Sequence, residues 1–293
     1  MTIQSVSAAK KELRQKRDGM AEFFSDPHVD LKGKHVVVLG NSPALNEVDL
    51  ELLDHPSIVT IGINRICRVY QPTAVLFTDP PIVTVEEPLY RAYDGKFFTW
   101  HGFGQQSPNS WILQERVQDL RYFLLTANTG APDKWRWPKT AEDPLIRQGT
   151  TPPYALQLAV LSKAKSVSIL GIDLSAADQA KNKKDTHFYG SAHTNKSWTC
   201  LECRAVGDMS MIIRRGGTAI CRECGAHNRM HKFQSTGGGG WNPRHDKFFT
   251  PFPAWARSFG ASAYNLSPYT DTPIHRANWA KLSVAQLREQ ANG

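Results

Sequence analysis

The sequence predicts an α/β protein: a mostly parallel sheet with helices on both faces, interrupted by a small cysteine-rich insertion. Three observations predict it. Short apolar runs rich in β-branched residues, such as "HVVVLG", "SIVTIGIN" and "SVSILGIDL", are closed by turn residues and read as buried strands. Helical or loop sequence separates these runs, which is the rhythm of strand–helix–strand units. Two Cys-x-x-Cys pairs lie between the last of them and the closing helices. The order is that of a Rossmann-like sheet with one insertion.

The elements follow in order. The first thirty residues contain a polar, basic stretch, "KKELRQKRDGMAEFF", read as one amphipathic helix ending near Asp26-Pro27. Strands come next at His35 to Leu39, in "SIVTIGIN" and in "AVLFTDPP", each closed by turn residues. A helical pattern follows the turn of the first strand. Residues 81–146 are less regular: "KFFTW" and "RYFLLT" read as strands, and "PDKWRWPKTAEDP" as a loop. "TPPYALQLAVLSKA" puts Pro near a helix start and apolar residues at helical spacing. "SVSILGIDL" is a further buried strand, closed by Gly171 and Asp173. Near the end, "FPAWARSFG" is a helix with a Gly stop, "AYNLSP" a short strand and "IHRANWAKLSVAQLREQ" a closing helix. Gly237 to Gly240 form the only low-complexity run and read as a flexible hinge. The chain thus divides into an N-terminal helical extension (1–30), an α/β domain (31–195 and 241–293) and an insertion (196–240).

Composition limits the function classes. An apolar fraction of 41% supports a full core. No run approaches the roughly 18 apolar residues of a membrane helix, and the polar start has no signal-peptide core. These features predict a soluble, cytoplasmic protein with no membrane span. The net charge of +8 points to an anionic partner, a nucleotide, a nucleic acid or an acidic surface.

Cys200 and Cys203 are separated from Cys221 and Cys224 by seventeen residues, the spacing of a zinc ribbon. Each pair closes a tight knuckle, and Gly225 suits the turn after the second. Four thiolates satisfy tetrahedral Zn²⁺ and leave no open position, so a structural metal is expected. Arg204, Arg214, Arg215, Arg222, Arg229 and Lys232 outweigh Glu202, Asp208 and Glu223 in this insertion. Two roles suit that balance, contact with nucleic acid or bracing of a loop. Cys67 stands apart and reads as a buried core thiol.

Ligands of open parallel sheets bind beyond the carboxyl ends of the strands. Polar tips close three strands here: Gly40-Asn41-Ser42, Gly62-Ile63-Asn64 and Thr78-Asp79. A fourth group, Arg147, Gly149, Thr150 and Thr151, precedes a helix whose start is expected to offer N–H groups and hydroxyls to phosphate oxygens. An Asn amide both donates and accepts, so it suits a sugar hydroxyl or a base edge. The first turn has neither the glycines of a dinucleotide site nor the Lys of a P-loop.

The order of these pieces resembles the bacterial lipooligosaccharide sialyltransferases and their phage relatives of unknown role. Gly40-Asn41-Ser42-Pro43-Ala44-Leu45 is similar to their Gly-Asn-Gly-Pro-Ser-Leu turn, and Asn64 to the Asn after their second strand. Gly149-Thr150-Thr151 and Leu170-Gly171-Ile172-Asp173 match their Ser/Thr-Gly and Ser-Gly-Ile-Asp segments. The stretch from His187 to His193 resembles their His-bearing motif, with Ser191 at the place of the base and His193 two residues later. "AYNLSP" resembles their last short strand. The resemblance implies transfer of a sugar from a nucleotide donor, a CMP-sugar above all, to a hydroxyl of a glycan or of DNA. It implies a metal-independent site, consistent with the lack of an Asp-x-Asp motif, with His193 as base and His187 as acceptor or phosphate contact. It also allows a virus-encoded protein acting in the host cytoplasm.

Two rival readings stand beside this one. Pterin diphosphokinases carry a similar Gly-Asn-x-Pro-x-Leu turn and need Mg²⁺, held here by a pair such as Asp79 and Asp173. A nucleic-acid-binding module, or a transferase that modifies a DNA base, instead uses the basic ribbon, with "KWRW" (Lys134 to Trp137) stacking on bases.

Overall fold

The computed structural model describes residues 29–78, 82, 86–100, 120–123, 135–140, 143, 145–146 and 150–172, parts of 198–232, then 243–270, 274 and 277–293. Residues 1–28 of the N-terminal extension, the Gly237–Gly240 run and the candidates Asp79, Arg147, Gly149, Asp173, His187 and His193 lie outside the described residues.

Eight strands form one sheet. They are β1 (His35–Leu39), β2 (Ile58–Ile63), β3 (Ala74–Leu76), β4 (Lys96–Trp100), β5 (Leu120–Phe123), β6 (Ser166–Leu170), β12 (Ser262–Asn265) and β13 (Ala280–Lys281). Their spatial order is β13-β12-β6-β1-β2-β3-β4-β5, and every pairing is parallel. Five further strands, β7 (Trp198–Cys200), β8 (Val206–Gly207), β9 (Ile212–Arg215), β10 (Thr218–Cys221) and β11 (Met230–Lys232), form two small sheets of their own. The α-helices are α1 (Glu87–Ala92), α2 (Pro152–Leu161), α3 (Pro243–Phe249), α4 (Phe252–Ser258) and α5 (Val284–Asn292).

Burial explains the apolar runs. All five residues of β1 are buried, and alternate side chains enter opposite cores. Val36 and Val38 pack with Leu156 and Val160 of α2 and with Phe248, Phe249 and Phe252 of α3 and α4. Val37 and Leu39 pack with Leu53, with Tyr90 of α1 and with Val284 and Leu287 of α5. Helices therefore cover both faces, and each fully buried Val or Leu contributes about 1.5–3 kcal/mol. Cys67 belongs to the second core, where burial pushes its thiol up to about 12.

Two elements differ from expectation. The segment after the first turn forms two short 3₁₀ helices, Pro43–Glu47 and Leu50–Leu53, rather than an α-helix. The extended backbone at Val48 ends the first, and Asp49 caps the second by accepting from the Glu51 N–H, which breaks the helical run. The closing helix is also shorter than its apolar spacing suggests. Trp279 is buried, Ala280 and Lys281 pair with β12, and α5 starts only after Ser283. A capping box fixes that start: Ser283 accepts from the Gln286 N–H, and the Gln286 side chain accepts from the Ser283 N–H.

Among the described residues, no helix is long and apolar enough to cross a membrane.

Candidate functional site

The chain reverses its direction of growth across the sheet at β1. Strands β2 to β5 extend to one side of it, and β6, β12 and β13 to the other. Such a switch point opens a crevice at the carboxyl ends of the strands. Gly40, Asn41 and Ser42 form the turn there. The Gly40 N–H donates to the Leu170 carbonyl at 2.8 Å, and the Ser42 N–H to the Gly171 carbonyl at 2.9 Å. A Cβ on Gly40 would sit 2.1 Å from the Gly171 oxygen, so the two backbones touch without room for a side chain. Ser42 turns its hydroxyl onto the Ala44 N–H as a cap. Glycine and serine thus build the turn, and Asn41 is the member whose side chain carries an open valence.

Register brings the other tips level with it. Leu39 pairs with Gly62 and with Leu170, which puts Asn41 beside Asn64 and Ile172, two residues further on. Ile63 pairs with Leu76, so Thr78 follows at the end of the next strand. Neighbouring strands are ~4.8 Å apart. The Thr78 hydroxyl shares a 2.7 Å hydrogen bond with that of Thr151, tying the start of α2 to the end of β3. Asn41, Asn64, Thr78, Thr150 and Thr151 therefore gather along one edge of the sheet.

Three oxygens at this edge are buried and have no hydrogen-bond partner among the described residues: Asn41 Oδ1, Asn64 Oδ1 and Thr150 Oγ1. Leaving such a group unpaired costs about 1–3 kcal/mol. Thr99 and Ser168 also carry unpaired hydroxyls, but each sits singly within a strand. Asn41 and Asn64, by contrast, follow the ends of adjacent strands, and Thr150 adjoins Thr151, which bonds the end of β3.

The start of α2 departs from expectation. Pro152 and Pro153 have no N–H, and the Tyr154 N–H is spent on the Thr151 carbonyl. The first turn of this helix therefore offers hydroxyls rather than a nest of N–H donors. Its position is set by Gln157, which is fully buried. The Gln157 amide accepts from the Ile146 N–H at 2.8 Å and donates to the carbonyls of Ile146 and Pro153. That clamp ties Ile146 to α2.

A second cluster lies in the small sheets. The sulfurs of Cys200, Cys203, Cys221 and Cys224 lie within 4.8 Å of one another. Cys200 Sγ is 3.6 Å from Cys224 Sγ, and Cys203 Sγ is 3.7 Å from Cys221 Sγ. A tetrahedron of sulfurs about 2.3 Å from a central ion has edges of roughly 3.8 Å, so the spacing fits a four-thiolate metal site. The second knuckle closes locally. Gly225 adopts a left-handed φ of +74° and donates its N–H to the Cys221 carbonyl at 2.8 Å. Burial pushes the Cys200 thiol up. At Cys221 burial acts in the same sense, but the N–H groups of Cys224 and Glu223 outweigh it and hold the thiol down, as suits a thiolate ligand.

The aromatic pair of "KWRW" is not arranged for stacking on bases. Trp137 packs on Phe248, Phe252 and Trp255 at centroid distances of 5.1, 6.2 and 4.9 Å. Trp135 is partly buried against the same core. These rings close the face of the sheet beneath α3 and α4.

Fold and site together define an α/β protein with a strand-end crevice and a separate four-cysteine cluster. No family model, curated protein or solved structure matches the chain. Several groups around the crevice have no motif to announce them: Gln157, and the set Arg65, Glu86 and Tyr90 behind Asn64. The only sequence sign of Glu86 and Tyr90 is an acidic residue before a Pro-started helical turn, "EEPLYRA".

Proposed function

We propose that the crevice binds a nucleoside phosphate and that the protein is a glycosyltransferase using a nucleotide-sugar donor, a CMP-sugar above all. One observation carries the reading: buried, unpaired oxygens on Asn41 and Asn64, just beyond the carboxyl ends of the neighbouring strands β1 and β2, and on Thr150, just before α2. Ligand hydroxyls and amino groups are the donors such acceptors need, and a nucleoside supplies both in its ribose and in the exocyclic amine of cytosine. The motif order that resembles the sialyltransferases supports the transfer step. In that step the acceptor hydroxyl attacks the anomeric carbon and passes its proton to His193. The bond to the phosphate oxygen breaks, and its electron pair leaves with the nucleoside monophosphate. His187 is assigned to the acceptor or the phosphate. The four-thiolate cluster holds a structural Zn²⁺ in this reading and takes no part in transfer.

The test is a thermal-shift panel of CMP, CDP, UDP, GDP and ATP with and without Mg²⁺. CMP is expected to raise the melting temperature most, with no need for Mg²⁺. Asn41→Ala is expected to weaken CMP binding by about tenfold, the cost of one hydrogen bond to a buried group. A shift from ATP that requires Mg²⁺ moves the assignment to diphosphate transfer. A flat response to all five removes the nucleotide reading.

A further inference from the structure

Asn64 is held in an unusual state from two sides. Its φ is +53°, in the left-handed region that non-glycine residues seldom occupy. Asn tolerates that region because its amide can bond locally. Here Oδ1 is buried and has no partner among the described residues, so that compensation is missing. Strain and an open valence on one residue, uncompensated by the fold, mark a functional position.

The fold keeps Asn64 there with a dedicated brace. The Tyr90 hydroxyl donates to the Asn64 carbonyl at 2.7 Å. Burial raises the Tyr90 phenol well above its ordinary value, so it stays a neutral donor. Its ring packs in a three-ring cluster with Phe77 and Phe97, at centroid distances of 5.9 and 5.1 Å. The residue after Asn64 is pinned by the same helix. Glu86 precedes α1, and its carboxylate meets Arg65 Nε at 3.2 Å and Arg68 Nε at 2.7 Å. Glu86 and Arg65 are both buried.

We propose that Tyr90 is a positioning residue: its hydrogen bond to the Asn64 carbonyl holds Asn64 left-handed, so that the amide faces a ribose hydroxyl of the bound nucleotide. The identity of the ligand rests on the function proposed above; the strained, braced state of Asn64 does not. A ribose hydroxyl donates to Oδ1 and accepts from Nδ2 of the same amide, matching both halves of the group.

The experiment uses the full chain, CMP as probe, and the variants Asn64→Gly, Tyr90→Phe and their double. Glycine occupies the left-handed region freely and carries no unpaired oxygen. Asn64→Gly is therefore expected to melt at a higher temperature than the wild type while binding CMP about tenfold more weakly. Tyr90→Phe is expected to bind CMP roughly 3–10-fold more weakly. In the Asn64→Gly background, Tyr90→Phe is expected to change CMP affinity no further, because there is no amide left to aim. A merely structural tyrosine lowers affinity equally in both backgrounds, and that result overturns the proposal. So does an Asn64→Gly variant that melts below the wild type. If wild type binds no nucleotide, the proposed function fails, and the order of the two melting temperatures still decides whether Asn64 is held under strain. Should Tyr90→Phe not fold, the comparison of Asn64→Gly with wild type decides in the same way.

Discussion

The strand-end crevice and the four-cysteine cluster gather their polar groups in opposite ways. The four sulfurs come from residues 200–224 and are set by local turns, including the Gly225 knuckle. The crevice takes Asn41, Asn64 and Thr150 from separate parts of the chain: the register of β1 with β2 aligns the first two, and the bond from Thr151 to Thr78 ties the segment of the third to β3. A local site survives or fails by itself. A non-local one inherits the stability of everything that positions it. That difference makes the two regions separable by experiment.

The largest expected effect is at the cluster. Four-thiolate zinc sites contribute apparent binding energies of about 10–16 kcal/mol to small modules. Removing the metal with a strong chelator should release hydrogen-exchange protection over 198–232. The strands of the main sheet should keep theirs, because they pair only with one another. Cys224→Ser should act in the same direction. Loss of protection in β1, β2 and β6 as well breaks the comparison and makes the cluster part of the main core.

The crevice responds to a change that touches no ligand. Gly40→Ala places a methyl group 2.1 Å from the Gly171 oxygen, against backbone that no rotamer change relieves. Overpacking of this kind costs about 1–3 kcal/mol, toward the upper end when backbone must move. The β1 and β6 ends should separate, lowering the urea midpoint and weakening CMP binding together. Metal content should stay unchanged. A variant with wild-type stability shows that the contact between these two turns is loose.

The two regions also differ in how far the sequence discloses them. Cys-x-x-Cys spacing alone locates the cluster, because its geometry depends on a few adjacent residues. The strands were legible too: a parallel strand buried on both faces is mostly apolar, as "HVVVL" is after its first residue, and short β-rich runs closed by turn residues mark the others. What could not be read was whatever depended on pairing. The two-residue strand Ala280–Lys281 was hidden in apolar spacing that mimics a helix, since Ile274, Ala277 and Trp279 serve the sheet instead. The Asn64 brace was hidden because Tyr90 comes from a six-residue helix in a stretch with no clear period. The loss of N–H donors at α2 was legible in Pro152-Pro153, and the expectation of a phosphate nest there overlooked it.

The smallest expected effect uses acidity to separate the regions. His35 opens β1, the strand that leads into the Asn41 turn, and bonds Ser166, at the start of β6, at 2.8 Å. It is buried, and burial, then Lys165, then His55, hold its imidazole below the ordinary value of 6.5. The folded protein thus keeps His35 neutral at a pH where the unfolded chain protonates it. Above about pH 6.5 neither state carries the proton, and the stabilisation is complete. As pH falls below that point the unfolded state gains protons first, and stability declines by up to about 1.4 kcal/mol per pH unit until the lowered folded value is reached. His35→Gln offers Ser166 an amide partner without a titrating group, so its urea midpoint should vary less between pH 7 and pH 5 than that of the wild type. Acid also protonates thiolates and loosens bound metal, but that loss is read from metal content and should be equal in both proteins. Equal slopes in the urea midpoints would assign the acid sensitivity to the cysteine cluster and remove His35 as its cause.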